Sequence, residues 1–410
     1  MRKRFYNIFK NLPLDYFMLS EMAFLIVIGF LCLYSVIAGR EMTPLHTNFG
    51  KQLIWFFLGF VIFLFILFSP FQLFFRSAYF LYAVSVVLLL IVLFYSSGRV
   101  HRWISLGNFQ FQPSEFSKVA TMLALARYLS LQKEDCLKWR QLWIPLSLVI
   151  IPVLLILKQP DVGTASVFFA ILITMVIWAG MTLKTTLLIL IPCLALVCGF
   201  HVSIFIGFFI VLFFGCLITK ISWWKTVTIC GLCFFLGLFS PVGWSTFESY
   251  QQQRILIFLG IKANPRGAAY QVIQSRIAIG SGGVLGKGFM HGSQTQLRFL
   301  PEQHTDFIFS VLGEEFGFIG VMTVLVVFLF LFSRLIHTAK TARNPFGGLV
   351  AVGCVSILAF QFFVNVGMTV GLVPVTGLPL PFLSYGGSSL VMTLVLMGLA
   401  MNVSAQRYLY

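Results

Sequence analysis

The chain has 410 residues, 59% of them hydrophobic and only 10% charged, and its mean hydropathy of +0.96 excludes a soluble globular protein in favour of an integral membrane protein. The formal net charge of +16 does not point to nucleic acid, because the basic residues lie mainly between apolar runs, where they set topology and meet anionic membrane lipid. The eight cysteines are scattered, and the one C-x-x-C, Cys230 and Cys233, lies in an apolar run without the second pair or nearby His that a metal set requires.

The basic N-terminus MRKRFYNIFK precedes an apolar stretch from Phe17 to Ala38. That stretch is too long for a signal peptide and lacks a small-residue cleavage pattern, so it reads as a retained first span. Arg2, Lys3, Arg4 and Lys10 hold its leading end in the cytoplasm. Further apolar runs centre near Phe60, Val86, Leu123, Val149, Ile171, Leu190, Ile210, Phe235, Val324, Ile357 and Leu394. With ~20 residues needed per crossing, about twelve spans result. Backbone polar groups in lipid must be satisfied internally, so the expected fold is an all-α polytopic membrane protein of about 10–12 transmembrane helices.

Arg76, the group Lys133, Lys138 and Arg140, then Lys184, Lys220 and Lys225, then Arg334, Lys340 and Arg343, and finally Arg407 all fall on the N-terminal side. Both termini are therefore expected in the cytoplasm. A single membrane domain spans 1–410, with a large extracytoplasmic loop at about 241–305. The short loops 98–113, 159–162 and 373–382 share its face.

The segment from Arg254 to Gly317 is polar and glycine-rich. Within it Glu302, His304 and Asp306 crowd together, and Arg254, Lys262, Arg266, Arg276, Lys287 and Arg298 outnumber the acids, a balance that suits an anionic ligand. GSGGVLGKG (Gly280 to Gly288) fails the Walker pattern, since Ser281 stands where the first Gly belongs and Gly288 replaces the Ser/Thr. Its glycines read as close backbone approach or a turn. Glu115 and Lys118 share one helix face near the outer end of a span, as a charged pair shaping a cavity or as a structural ion pair. Glu314 and Glu315 fall inside a span, where at least one must face protein or water. Pro374, Pro379, Pro381 and Gly386-Gly387 suggest a re-entrant or tightly turned outer loop at a cavity rim.

Five stretches, RWISLGNFQFQPSEFSK (Arg102 to Lys118), KQPDVGTA (Lys158 to Ala165), QSRIAIGSGG (Gln274 to Gly283), LPEQHTDFIF (Leu300 to Phe309) and GLPLPFLSYGGSS (Gly377 to Ser389), resemble in this order the signatures of the SEDS (shape, elongation, division and sporulation) family. The wording HGSQTQLRFLPE (His291 to Glu302) is similar to the elongation branch. The resemblance implies a plan of about ten spans, from which two apolar runs at about 184–221 depart as an inserted helical hairpin. It implies a peptidoglycan glycosyltransferase in the bacterial cytoplasmic membrane. Such an enzyme polymerises lipid II into glycan strands on the outer face during cell elongation and releases undecaprenyl pyrophosphate. The implied partners are a class B penicillin-binding protein and other elongation-complex membrane proteins.

The family carries a catalytic Asp immediately before Pro, where this chain has Asn264-Pro265. A neutral amide cannot accept a proton near pH 7, and losing a general base costs ~10²- to 10⁴-fold. The catalytic candidates are accordingly the Asn264 position, Asp306, Glu302 and Asp161, with Glu248 in the same loop. Each acid reads equally as a partner for Arg or a helix cap. Arg254, Gln274, Ser275, Lys287, His304, Glu115 and Lys118 are the candidate substrate contacts. The resemblance also implies a divalent cation such as Mg²⁺ beside the pyrophosphate, held by carboxylates and phosphate oxygens, with Asp161 the first candidate ligand. A lipid-linked precursor transporter (flippase) and a noncatalytic scaffold for a class B penicillin-binding protein are the alternatives, and both predict no glycan polymer.

Overall fold

The computed structural model describes residues 15–37, 48–95, 102–106, 109–132, 139–181, 191, 195, 198–199, 202–218, 223–246, 249–258, 268–297 and 299–406. Asn264, Glu248, Lys262, Arg266 and Arg298 lie outside the described residues, as do the basic N-terminus, Arg407 and residues 184–190 of the expected hairpin.

Six described helices are long and apolar enough to cross a membrane: α1 (Tyr16–Ile37), α2 (Asn48–Phe68), α3 (Phe71–Tyr95), and, toward the C-terminus, α12 (Ile308–Thr341), α13 (Pro345–Val370) and α14 (Gly387–Ala405). Between the two groups come α4 (Pro113–Ser130), α5 (Trp143–Leu157), α6 (Val162–Trp178), α7 (Val202–Ile218) and α8 (Trp223–Thr246). The short helices α9 (Ser249–Phe258), α10 (Ala268–Ser281) and α11 (Ser293–Gln296) occupy the polar segment between α8 and α12. A two-stranded antiparallel ribbon of β1 (Ile104–Leu106) and β2 (Phe109–Phe111) leads into α4.

Burial separates interior from lipid-facing helices. The most apolar windows of α2 and α3 are 28% and 22% buried, whereas those of α13 and α14 are 67% and 89% buried. Helix α4 is the least hydrophobic of the expected spans, yet 14 of its 18 residues are buried. A helix enclosed by protein can hold charge that lipid would not tolerate, and α4 carries the ion pair Lys118 Nζ to Glu115 Oε1 at 2.7 Å. Helices α7 and α8 pack in a separate small core around Ala195, Leu212 and Cys233. Cys233 belongs to this small core and Cys230 packs against it.

The glycine run acts as a splint for a broken helix. Helix α12 contains Gly317 at φ 63° and ψ −161°, a conformation outside the helical region. The lost ladder is replaced from the turn after α10. Lys287 and Gly288 donate N–H to the carbonyls of Glu314 and Glu315 at 3.0 and 3.1 Å, and the N–H groups of Phe318 and Ile319 donate to Gly283 and Val284 at 2.9 and 3.1 Å. Non-helical backbone at membrane depth requires such protein partners. The approach is too close for side chains, since a Cβ on Gly286 (φ +82°) would collide with the Glu315 carbonyl.

Gly286→Ala is therefore expected to lower the thermal unfolding midpoint in detergent, at a cost of at least ~1–3 kcal/mol for the backbone conformation alone. Gly280→Ala, on open space, leaves that midpoint unchanged or raised.

Candidate functional site

Five segments meet around a cavity of 550 Å³: the entry to the ribbon (Arg102), the start of α6 (Asp161), α9 (Arg254), the turn before α12 (Glu302, Asp306) and the loop from α13 to α14 (Tyr385). Each wall has a local cause. Asp161 is the N-cap of α6, accepting the Thr164 N–H at 3.1 Å and the Thr164 hydroxyl at 2.9 Å, the usual use of a short carboxylate at a helix start. Gln112, the residue before α4, donates to Asp161 Oδ2 at 3.4 Å, and Arg102 Nε lies 4.0 Å from the same oxygen. Tyr250 and Gln251 on α9 donate to the Pro160 carbonyl at 3.1 and 3.0 Å. Arg254 donates to the Val375 carbonyl at 3.0 Å. The loop after α13 is non-helical through Tyr385, and Leu378, Leu380, Phe382, Leu383 and Ser384 within it are buried.

Asp306 is the most perturbed acid of this cavity. It does not cap α12, whose N-cap is Phe307 without a side-chain bond. Asn365 Nδ2 of α13 holds its carbonyl at 3.0 Å. Its carboxylate lies close over Gly377, where a Cβ would be 3.5 Å from Oδ2. Burial pushes the Asp306 carboxyl up to about 6, with the Arg254 charge opposing the rise and the Glu302 charge adding to it. Desolvation thus outweighs the guanidinium. Glu302 is exposed. The Tyr385 phenol is also raised by burial.

Several expected contacts have other employment. Ser275 is fully buried, bonded to Ser310 Oγ at 2.6 Å and to the Thr369 carbonyl at 2.7 Å, so it joins α10, α12 and α13. Lys287 is committed to the buried Glu314 carboxylate at 2.8 Å. Glu314 also accepts from the N–H groups of Gln294 and Thr295 at 2.8 and 3.0 Å. Gln274 is half-buried on α10 and outside the cavity lining. Glu115 and Lys118 lie buried in α4, a turn or two beneath Gln112 and likewise outside the lining. His304 stands at the rim, its ring 5.6 Å from that of Tyr385 and its carbonyl accepting the Tyr385 N–H at 2.9 Å. Arg102, Gln112, Tyr250 and Tyr385 were not singled out from sequence, although all but Tyr250 lie in the five motif stretches.

The acids do not form a metal cage. Among the described residues no three His, Cys, Asp or Glu side chains gather closely enough to hold an ion, and both Asp161 oxygens are engaged in capping.

A predominantly helical domain with six helices able to cross a membrane and a pocket lined by carboxylates and guanidinium groups defines a multi-pass membrane protein with a polar site. The chain belongs to the FtsW/RodA/SpoVE cell cycle protein family, whose profile matches residues 16–205 and 187–409. It is 34% identical over 425 residues to peptidoglycan glycosyltransferase RodA of Treponema pallidum, covering 96% of this chain and 98% of the relative. It is 34% identical over 399 residues to peptidoglycan glycosyltransferase MrdB of Escherichia coli K12, covering 96% and 94%. Its fold matches a chain of a peptidoglycan synthase complex with a TM-score of 0.71 at 31% identity, over 98% of this chain and 100% of the other. It matches the rod shape determining protein RodA of Thermus thermophilus with a TM-score of 0.65 at 27% identity, over 97% and 99%.

Lys287→Met leaves the Glu314 carboxylate buried without its cation, a loss worth about 3 kcal/mol. The expected result is a lowered unfolding midpoint in detergent. A KM change at an unaltered midpoint would instead make Lys287 a substrate contact.

Proposed function

We propose that this chain is a peptidoglycan glycosyltransferase of the elongation type, polymerising lipid II at a pocket on the outer face of the bacterial cytoplasmic membrane, with both termini in the cytoplasm. The observation that carries this is the convergence of Asp306, Glu302 and Asp161 with Arg102 and Arg254 around one cavity. Similarity along 96% of the chain to RodA and MrdB, against 90% for a probable FtsW of Trichlorobacter lovleyi and 77% for stage V sporulation protein E of Bacillus subtilis, supports the elongation branch.

Asp306 is the general base in this proposal. It takes the proton of the acceptor sugar hydroxyl as that oxygen bonds to the anomeric carbon of the growing chain. The bond from that carbon to the pyrophosphate oxygen breaks, and undecaprenyl pyrophosphate leaves with the electron pair. A base near pH 6 is ionised at neutral pH yet retains proton affinity, the balance that general base catalysis requires. Arg102 and Arg254 line the same cavity as Asp306, Arg102 at 4.0 Å from Asp161 Oδ2 and Arg254 donating to the Val375 carbonyl, and both would meet the leaving pyrophosphate. Asp161 positions α6, and Glu302 would hold a Mg²⁺ arriving with the substrate, whose charge offsets that of the pyrophosphate. A class B penicillin-binding protein would crosslink the product, alongside other elongation-complex membrane proteins.

The test is polymerisation of labelled lipid II by the protein purified with its transpeptidase partner. Asp306→Asn is expected to lower the rate ~10²- to 10⁴-fold. The wild-type rate falls as pH drops through about 6, the value to which burial moves Asp306, because the base must be ionised. The same shift means that the charged carboxylate opposes folding as pH rises between its unfolded value and 6. The Asn variant is therefore at least as stable at pH 7.5, which separates lost catalysis from misfolding. Polymer from Asn264→Asp but none from wild type would place the base at residue 264 and leave the natural protein a scaffold or transporter.

A further inference from the structure

Helix α14 begins at the wall of the polar cavity. Gly386, Ser388 and Ser389 line it, so the first turn of this 19-residue helix borders the same space as Arg102 and Arg254. The first N–H groups of a helix have no intrahelical acceptor and form the positive end of its dipole. A side-chain oxygen at the N-cap usually satisfies some of them. Here the N-cap is Gly386, which brings no such oxygen. Its own N–H donates to Gln52 Oε1 of α2 at 3.2 Å. No acceptor among the described residues takes the N–H groups of Gly387, Ser388 and Ser389. Gln52 Nε2 also donates to the Ser384 carbonyl at 3.4 Å, so one buried amide holds the backbone on both sides of Tyr385 and fixes where α14 starts.

Ser388 adds a buried donor at the same place. The residue is 1% exposed, and its hydroxyl has no hydrogen-bond partner. Elsewhere in the helices Ser77, Ser85 and Ser166 return their hydroxyls to carbonyls three or four residues back. Ser117, Thr121 and Ser356 also lack partners but lie outside the cavity lining. An unpaired buried hydroxyl costs stability, and at a cavity wall an acceptor carried by a ligand removes that cost.

Charge decides which acceptor. Asp161, Glu302 and Asp306 line the cavity against two guanidinium groups, Arg102 and Arg254, so side-chain charge alone does not favour an anion. The start of α14 adds a positive pole, and its first turn contains no acid to cancel it. Backbone N–H groups at a helix start, together with a hydroxyl, match a group with several charged oxygens. We infer that the first turn of α14, with the Ser388 hydroxyl, binds a phosphate of the lipid-linked diphosphate. This rests on the glycosyltransferase function proposed above and names the donors that hold the substrate's anion. Gly386 leaves those donors uncovered, because it has no side chain to lie across them.

The experiment measures binding of labelled undecaprenyl pyrophosphate, and of undecaprenol, which has the same chain without the anion, to the full chain in phosphatidylcholine nanodiscs. Ser388→Ala removes the hydroxyl. Gly386→Asp sets a carboxylate beside the free N–H groups, capping them in place of the ligand. The site admits it, since a Cβ there would lie 3.4 Å from the Ser389 Cβ, and the backbone at φ 169° is extended. Each variant is expected to weaken undecaprenyl pyrophosphate binding about tenfold or more, the loss of a hydrogen bond to a charged group, and to leave undecaprenol binding unchanged. The unfolding midpoint without ligand stays level or rises in both, because one loses an unpaired buried hydroxyl and the other gains a cap. Undecaprenyl pyrophosphate binding unaltered in both variants, undecaprenol binding lost in parallel, or displacement by added phosphatidylglycerol overturns the inference. The readout needs no turnover. Polymer from wild type with normal binding by the variants sinks the phosphate site alone, whereas binding that depends on Ser388 without any polymer supports the site and removes the enzyme function.

Discussion

A bilayer offers no water to satisfy backbone N–H and C=O groups, and the placement of every polar segment in this protein answers to that constraint. Helix α12 breaks at Gly317, and the break stands because the turn after α10 supplies both acceptors and donors across it. The splice ties the polar outer segment to the long membrane helix. The Glu314 carboxylate, bonded to Lys287 and to the first turn of α11, locks the same junction from its side-chain face. The Glu302–Asp306 turn enters the cavity directly from this anchored end of α12, so the position of the proposed base depends on a backbone exchange around the Gly317 break.

The cavity is an electrostatic compromise. Burial raises the Asp306 carboxyl and the Arg254 charge opposes it, which leaves a carboxylate that is ionised but still basic. Both arginines are oriented by backbone carbonyls, Arg102 by Gln159 and Arg254 by Val375. Arg102 also lies 4.0 Å from Asp161 Oδ2, and the Arg254 charge acts on Asp306, so cations and carboxylates answer one another across the cavity.

Interior helices carry the polar groups that lipid would reject. Helix α4 encloses Glu115 and Lys118, and α13 presents Asn365 to the carbonyls of Asp306 and Leu378 at 3.0 and 2.8 Å. Lipid-facing α2 and α3 are instead almost wholly apolar in their exposed faces. Charge in the middle of such a bundle serves orientation, since a buried ion pair adds little net stability.

Much of this was legible in the amino-acid sequence. Hydropathy marks spans by length alone, so α1, α2, α3, α12, α13 and α14 fall on runs recognisable without coordinates. The ordered motifs place the family, and the acids between Leu300 and Phe309 mark one wall of the cavity. Glycines in GSGGVLGKG signal close backbone approach, because no other residue allows it. Sequence alone could not show that Lys287 and Ser275 are spent on Glu314, Ser310 and the Thr369 carbonyl. Each is a polar residue in a polar segment, and only the packing of α10 and α11 against α12 and α13 gives it a partner. Nor could it show Arg102 and Tyr385 lining one cavity with Asp306. Such placements arise where segments distant in the chain meet, and hydrophobic periodicity records which residues avoid water but not which helices become neighbours.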